Sequence, residues 1–377
     1  MRRVRLAQIM AVIRLEVKKT FFAKRGLWIY LLAFLPLGLF VAHALVLGHQ
    51  REIRDRIASE SRRQLTYQDL TDIHSGMSRD EVIERLGKPP ISHVRGLYVP
   101  KQKQTQAEPK EGGRDSSRTG MRETYRYSDG LNDLYVFLED GKVTGTRVGQ
   151  HESLGEDTMV FASVFQFFYL RLAIFFGCLG IFMNLFRGEL LDKSLHFYFL
   201  APIRRDLLML AKYFAGLLAA TAVFVSSAAL QFAALAWSLE PTVRNAYLQH
   251  GQGLAQGATY LGVTALACVG YGSLFLAAGL WFRNPIIPVG VILIWEALNP
   301  FLPAALEKIS VIYYLKSLCP VEIQVGPGTP AILAMLISNP EPVSPPVAIS
   351  GLILVSVATL VVASRRVQRM EINYTTE

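Results

Sequence analysis

Six apolar stretches constrain this chain more than any other feature: Leu27–Leu47, Ser163–Phe186, Leu207–Trp237, Ala258–Phe282, Pro285–Leu306 and Val347–Ala363. Each is long enough to cross a hydrocarbon core of roughly 30 Å at helical rise. Lipid offers no partner to a backbone N–H or C=O, so crossing segments fold as helices. The sequence therefore predicts an all-α polytopic membrane protein with six transmembrane helices. Composition agrees, at 51% apolar and only 18% charged residues. The third stretch is long enough to tilt or to begin as an interfacial turn. Pro36, Pro288 and Pro300 fall within spans, where helices tolerate proline when neighbours satisfy the freed carbonyls.

Basic residues orient these helices. The segment 1–26 carries eight (Arg2, Arg3, Arg5, Arg14, Lys18, Lys19, Lys24, Arg25) against one acid, Glu16. The connection Arg187–Lys212, Arg283 and the tail 365–377 bring the total on that side to seventeen, whereas Arg244, Lys308 and Lys316 lie on the other. Both termini read as cytoplasmic in a cell inner membrane, and residues 48–157 as extracytoplasmic. The net charge of +9 then follows from topology and implies no nucleic acid. Within 1–26, Ile9, Ile13, Val17 and Phe21 recur at helical spacing with Arg and Lys between them. That pattern predicts an amphipathic helix against the membrane lipids of the cytoplasmic leaflet.

The connection Arg187–Lys212 carries more than a hairpin tip needs. Leu191, Leu195 and Phe199 fall on one helical face, and Glu189, Asp192, Lys193 and His196 on the other. Pro202 stops this helix, and Arg204 and Arg205 open the next span. Such a helix can receive force from a soluble partner, or it can simply anchor the hairpin at the interface.

Residues 48–157 are enough for one small core. Ser78 before Asp80 and Glu81 is a helix-start signal, and the helix Arg79–Leu86 ends at Gly87 with Pro89 and Pro90 beyond. Strand patterns follow at Glu123–Tyr127, Asp133–Leu138 and Lys142–Val148, divided by Asp129-Gly130 and Asp140-Gly141. A helical pair on a three-stranded antiparallel meander is the economical α+β fold. Residues 101–118, nearly devoid of apolar side chains, read as a flexible loop.

Chemistry is sparse. No GxxxxGK[ST] phosphate loop occurs, so this chain does not cradle ATP, and neither an HExxH helix nor a GxSxG elbow is present. The seven His are scattered singly and the three Cys form no framework, so no catalytic, metal or cofactor residues are assigned. Arg171 and Glu296 fall at membrane depth, where a charge costs about 2.5–3.5 kcal/mol on insertion scales. They are expected to pair, or Glu296 to face a polar path. The alternatives are snorkelling for Arg171 and a protonated, hydrogen-bonded carboxyl for Glu296. The small residues of the fourth span, Gly262, Gly270, Gly272, Ser273, Ala277 and Ala278, permit close helix approach at a dimer seam or within one subunit. In the outer segment Glu307–Pro346, the apolar run Ala331–Ile337 is too short to span and predicts a re-entrant or outer-leaflet helix.

Two resemblances sharpen this reading. Ile73-His74-Ser75-Gly76-Met77-Ser78-Arg79-Asp80-Glu81-Val82, Leu86-Gly87-Lys88-Pro89, Tyr125-Arg126-Tyr127 and Phe137-Leu138-Glu139-Asp140-Gly141-Lys142-Val143 resemble the SmpA/OmlA (BamE-like) domain. The resemblance implies a periplasmic interaction module, able to engage an envelope protein, with no chemistry of its own. The loop 101–118 is longer than that pattern expects.

The stretch Glu189, Leu191–Leu200, Pro202-Ile203-Arg204-Arg205 and Lys212 resembles the ABC-2-type permeases of ABC exporters. The resemblance implies an exporter domain over 158–364 whose coupling segment, 187–206, docks on a separate cytosolic ABC ATPase subunit. Glu189, Asp192, Lys193, His196, Arg204 and Arg205 would form that contact. ATP and Mg would sit on the partner, and a second permease subunit, identical or not, would complete the path. The rivals are a membrane-anchored scaffold acting through 48–157 and, more remotely, an intramembrane enzyme built on Glu296.

Overall fold

The computed structural model describes residues 10–19, 26–60, 65, 67–89, 91–96, 121–128, 132–150, 154–191, 204–282, 284, 286–323 and 343–369. The chain divides into two compact units, Met1–Ala44 with Leu154–Glu377, and Leu45–Ser153.

Among the described residues, five helices are long and apolar enough to cross a membrane: Leu27–Ile53, Leu154–Phe186, Arg205–Ser238, Gly253–Trp281 and Pro345–Gln368. They coincide with the expected spans one, two, three, four and six, and the protein is a polytopic helical membrane protein. Span two is irregular, because Val164–Ile174 winds as a π-helix between the α-helical Leu154–Ser163 and Phe175–Phe182. Wide turns of this kind cluster at functional sites.

The stretch Pro285–Leu306 does not form one continuous helix. The helix Ile286–Ala297 has 12 residues, a rise of about 18 Å and well short of the hydrocarbon core. A 3₁₀ turn at Asn299–Phe301 and the short helices Ala304–Glu307 and Val311–Ser317 follow. The expected tolerance of Pro300 fails for a local reason. Pro300 carries no N–H and falls in the first turn of the 3₁₀ segment, and Pro303 pushes the residue before it out of the α region; Leu302 is extended, at φ −82° and ψ 153°. Pro36 is accommodated inside the helix Leu27–Glu60. Pro288 sits in a first turn, where its missing N–H had no intrahelical acceptor to lose. The run Ala331–Ile337 lies outside the described residues.

Span four is the hub of the membrane core, packing on spans two, three and six. Phe175, Tyr271 and Phe275 meet edge-on at 4.9–5.4 Å between Phe175 and its two partners. Polar side chains stitch the helices in lipid-like surroundings. Tyr169 Oη donates to the Phe224 carbonyl, Ser227 Oγ to that of Ala33 and Tyr213 Oη to that of Val269. Gly270 and Gly272 are used inside this chain: a Cβ at Gly272 would lie 2.5 Å from Phe182 Cζ, and one at Gly270 2.8 Å from Val311 Cγ1. Gly177 abuts the Phe224 ring still more closely. Gly177→Ala and Gly272→Ala are each expected to cost about 1–3 kcal/mol by overpacking. The midpoint of thermal unfolding in detergent checks this, with Gly262→Ala, where nothing lies within 4 Å, as the silent control.

The second unit carries a four-stranded antiparallel sheet in the order β1-β2-β3-β4: β1 Ile91–Gly96, β2 Met121–Ser128, β3 Asn132–Glu139 and β4 Lys142–Gln150. The three expected strands are β2, β3 and β4. β1 extends the predicted meander, pairing Ile91 with Arg126 and Gly96 with Met121. Alternate residues Tyr125, Tyr127, Leu134, Val136 and Leu138 point into a core with Leu70, Ile73, Val82 and Leu86. The helix Arg79–Leu86 begins with a complete capping box: Ser78 N–H donates to Glu81 Oε2 at 2.9 Å, and Glu81 N–H to Ser78 Oγ at 3.4 Å. Gly141, at φ 76°, and Asp140, at φ 51°, make the tight β3–β4 turn. The start of β4 then pairs with the helix start: Gly76 N–H donates to the Val143 carbonyl and Val143 N–H to that of Met77. Tyr127 Oη donates to the Gly87 carbonyl at 3.0 Å, so the helix exit is fastened to β2.

Ser78→Ala is expected to cost about 1 kcal/mol of helix stability. Hydrogen exchange of the Glu81 and Val82 amides in the full chain reads this directly. The Glu81 carboxylate is held below its ordinary range by the Ser78 backbone N–H first and the Ser78 hydroxyl second. A depressed folded pKa means the contribution is complete above the unfolded value, about 4.3, and is lost as pH falls through the lower folded one. Amide protection in this helix should therefore drop below about pH 4 in the wild type, and show less of that drop in Glu81→Gln.

Candidate functional site

One polar centre lies where the connection Arg187–Lys212 is rooted. Helix 10–19 presents Val12 and Ile13 to Leu208 and Ala211 near the start of span three. Glu16, one turn after Val12, is thereby buried with them. Lys212 is wholly buried, and its Nζ donates to Glu16 Oε1 at 2.5 Å and to the Leu185 carbonyl at 3.1 Å. The ammonium also stands 5.5 Å from the centre of the Phe186 ring. Leu185 and Phe186 immediately precede the connection and Lys212 closes it, so a single ammonium ties both of its roots together. Glu16 fastens helix 10–19 to that tie.

The surrounding basic residues divide by role. Arg204, which caps the helix Arg205–Ser238, forks onto Asp206, with Nη2 to Oδ2 at 2.7 Å and Nε to Oδ1 at 3.2 Å. Its side chain remains largely exposed. Arg205 donates to the Gln368 carbonyl at 3.3 Å, joining the base of span three to the end of span six. Glu189 belongs to the helix Asn184–Leu191, which continues from span two into the connection. Asp192, Lys193 and His196 lie outside the described residues. Lys212 belongs to the stretch that resembles the ABC-2-type permeases, and that resemblance carries no partner for it. The available signal was position: Glu16 is the lone acid of a basic segment, four residues from Val12, on the side that must be buried.

A second centre surrounds Glu296, near the end of the helix Ile286–Ala297. Its carboxylate accepts from Ser310 Oγ at 2.9 Å, from the backbone N–H of Val311 at 3.1 Å and of Ile312 at 2.8 Å, and from Tyr271 Oη at 3.4 Å. It therefore caps the short helix Val311–Ser317 from another element, satisfying donors that a helix leaves open at its start. Asn299 Nδ2 holds the intervening turn by donating to the Glu307 carbonyl at 3.1 Å. Arg171 arrives from the π-helical part of span two, 5.6 Å from the Phe167 ring centre. Tyr271, which donates to Glu296, packs edge-on against Phe175, four residues after Arg171 in span two. Gln166, from the same π segment, donates to the Val321 carbonyl at 3.0 Å. Spacing alone could not reveal the π turns or this cap, since Ser310 is fourteen residues from Glu296.

Among the described residues no group of three or more His, Cys, Asp or Glu side chains is disposed to hold a metal ion. Compared with protein-family models, curated proteins and solved structures, the chain matches none.

Proposed function

We propose that this chain is the membrane-spanning permease subunit of an ATP-driven exporter of the ABC-2 type. It works as one of a pair of permease subunits with a separate cytosolic ATPase, which carries ATP and Mg. Its termini and the connection Arg187–Lys212 face the cytoplasm, and residues 48–157 lie outside as a BamE-like module. The broken stretch Pro285–Leu306 counts as the fifth crossing, completed beyond its half-length helix by the capped turn that follows.

The observation that carries this reading is the Lys212 tie. A connection meant only to anchor a hairpin needs no buried ion pair at its root. One that receives force from a docked ATPase does, because a push on the segment 187–206 must reach spans two and three as one body. The exposed Arg204, beside the tie, suits a docking surface. In the outer unit, the stretches that resemble the SmpA/OmlA pattern pack on one another, which suits an interaction module.

The test is affinity purification of the tagged chain in mild detergent, assayed for co-purifying ATPase activity. An associated ATPase, lost or uncoupled in a Glu189→Ala, Arg204→Ala double variant, is the expected result. A chain free of ATPase but bound to envelope proteins through residues 48–157 makes it a scaffold instead.

A further inference from the structure

Helix 10–19 has a second face whose chemistry is not used by the Glu16–Lys212 tie. A cavity of about 560 Å³ opens between this helix and spans one and three, within the 300–1,000 Å³ usual for small-ligand sites. Ile13 and Val17 form its apolar side on the helix, and Tyr30 of span one and Leu218 of span three line it opposite. Arg14 and Lys18, four residues apart and exposed, stand at the same cavity, and among the described residues no carboxylate lines it. Glu16 is turned inward against Lys212, so the one acid of the segment 1–26 cannot neutralise them.

We infer that this cavity is a binding site for one anionic membrane phospholipid. The headgroup phosphate lies between Arg14 and Lys18, and an acyl chain runs along Ile13, Val17, Tyr30 and Leu218. The two cations select charge and the apolar wall requires a chain, a combination that free phosphate or a zwitterionic lipid meets only in part. Tyr30 and Leu218 belong to helices that cross the membrane, which puts the apolar half of the cavity where lipid is the available ligand. A bound lipid packs helix 10–19 against spans one and three from the side opposite Lys212. Occupancy therefore holds Glu16 at its partner.

The test uses the purified full chain in mild detergent, incubated with equal amounts of phosphatidylglycerol and phosphatidylcholine and read by native mass spectrometry. One phosphatidylglycerol is expected to remain on each wild-type chain in preference to phosphatidylcholine. Arg14→Gln with Lys18→Gln should cut that preference about tenfold or more; both side chains are exposed, and an unchanged melting midpoint confirms the fold. Leu218→Trp, which fills the apolar end, should abolish the adduct, and millimolar glycerol phosphate should leave the wild-type adduct in place. Equal retention of the two lipids, a preference that survives the double variant, displacement by glycerol phosphate, or a cavity closed by a second protein chain with no lipid adduct would each overturn the assignment.

Discussion

Lys212→Met should lower stability by about 3–5 kcal/mol, the cost of removing one member of a buried ion pair. The carboxylate of Glu16 is almost wholly enclosed, beside Val12, Leu208 and Ala211, and the substitution removes the ammonium bonded to its Oε1. The midpoint of thermal unfolding in detergent reads the loss. Glu16→Leu with Lys212→Met removes both charges, and an apolar pair in place of a buried ion pair is often neutral or stabilising. The double variant should therefore be clearly more stable than Lys212→Met alone. If Lys212→Met costs under about 1 kcal/mol, the value of an exposed pair, the tie is not a buried latch and the mechanical reading of the connection loses its support. Coupling gives a second readout: with an ATPase co-purifying, the double variant should keep the fold yet respond more weakly to the docked partner, because helix 10–19 is no longer keyed to the root of span three.

The spans were legible because lipid removes every alternative: a run of apolar residues of sufficient length has only the helix open to it. Leu207–Trp237 and Ala258–Phe282 accordingly match the helices Arg205–Ser238 and Gly253–Trp281 closely. The helix Arg79–Leu86 was legible for a different reason, since its capping box and Gly87 are local chemistry. Pro285–Leu306 was not, because average apolarity over a window hides where backbone donors are missing; Asn299-Pro300 and Leu302-Pro303 carried that information. β1 escaped notice because Ile91–Gly96 follows Pro89 and Pro90 closely and pairs with β2 across a long intervening segment. The pairings that define both polar centres are invisible to spacing. Glu16 and Lys212 are 196 residues apart, and Glu296 reaches Ile312 across sixteen.

The Glu296 cap leads to the second large effect. Glu296→Ala withdraws the acceptor from two backbone N–H groups and from the hydroxyls of Ser310 and Tyr271, all of them buried. Each buried donor left unsatisfied costs about 1–3 kcal/mol, and the shared site makes the losses less than additive. A total of about 3 kcal/mol or more is expected. Glu296→Gln should fall between alanine and wild type. Its carbonyl oxygen still accepts from the helix start, while its NH₂ meets groups of which only the two hydroxyls can turn round to accept. Ser310→Ala, which deletes one donor and leaves the carboxylate its backbone partners, should cost about 1 kcal/mol. Melting midpoints of the three variants in detergent set the order. The order also separates two roles for a carboxylate at this depth. If alanine and glutamine are equally damaging while Ser310→Ala is silent, the charge itself matters and Glu296 serves a polar path. If glutamine rescues most of the loss, Glu296 is the clasp that fastens the half-length helix Ile286–Ala297 to the start of Val311–Ser317, and the path must lie elsewhere.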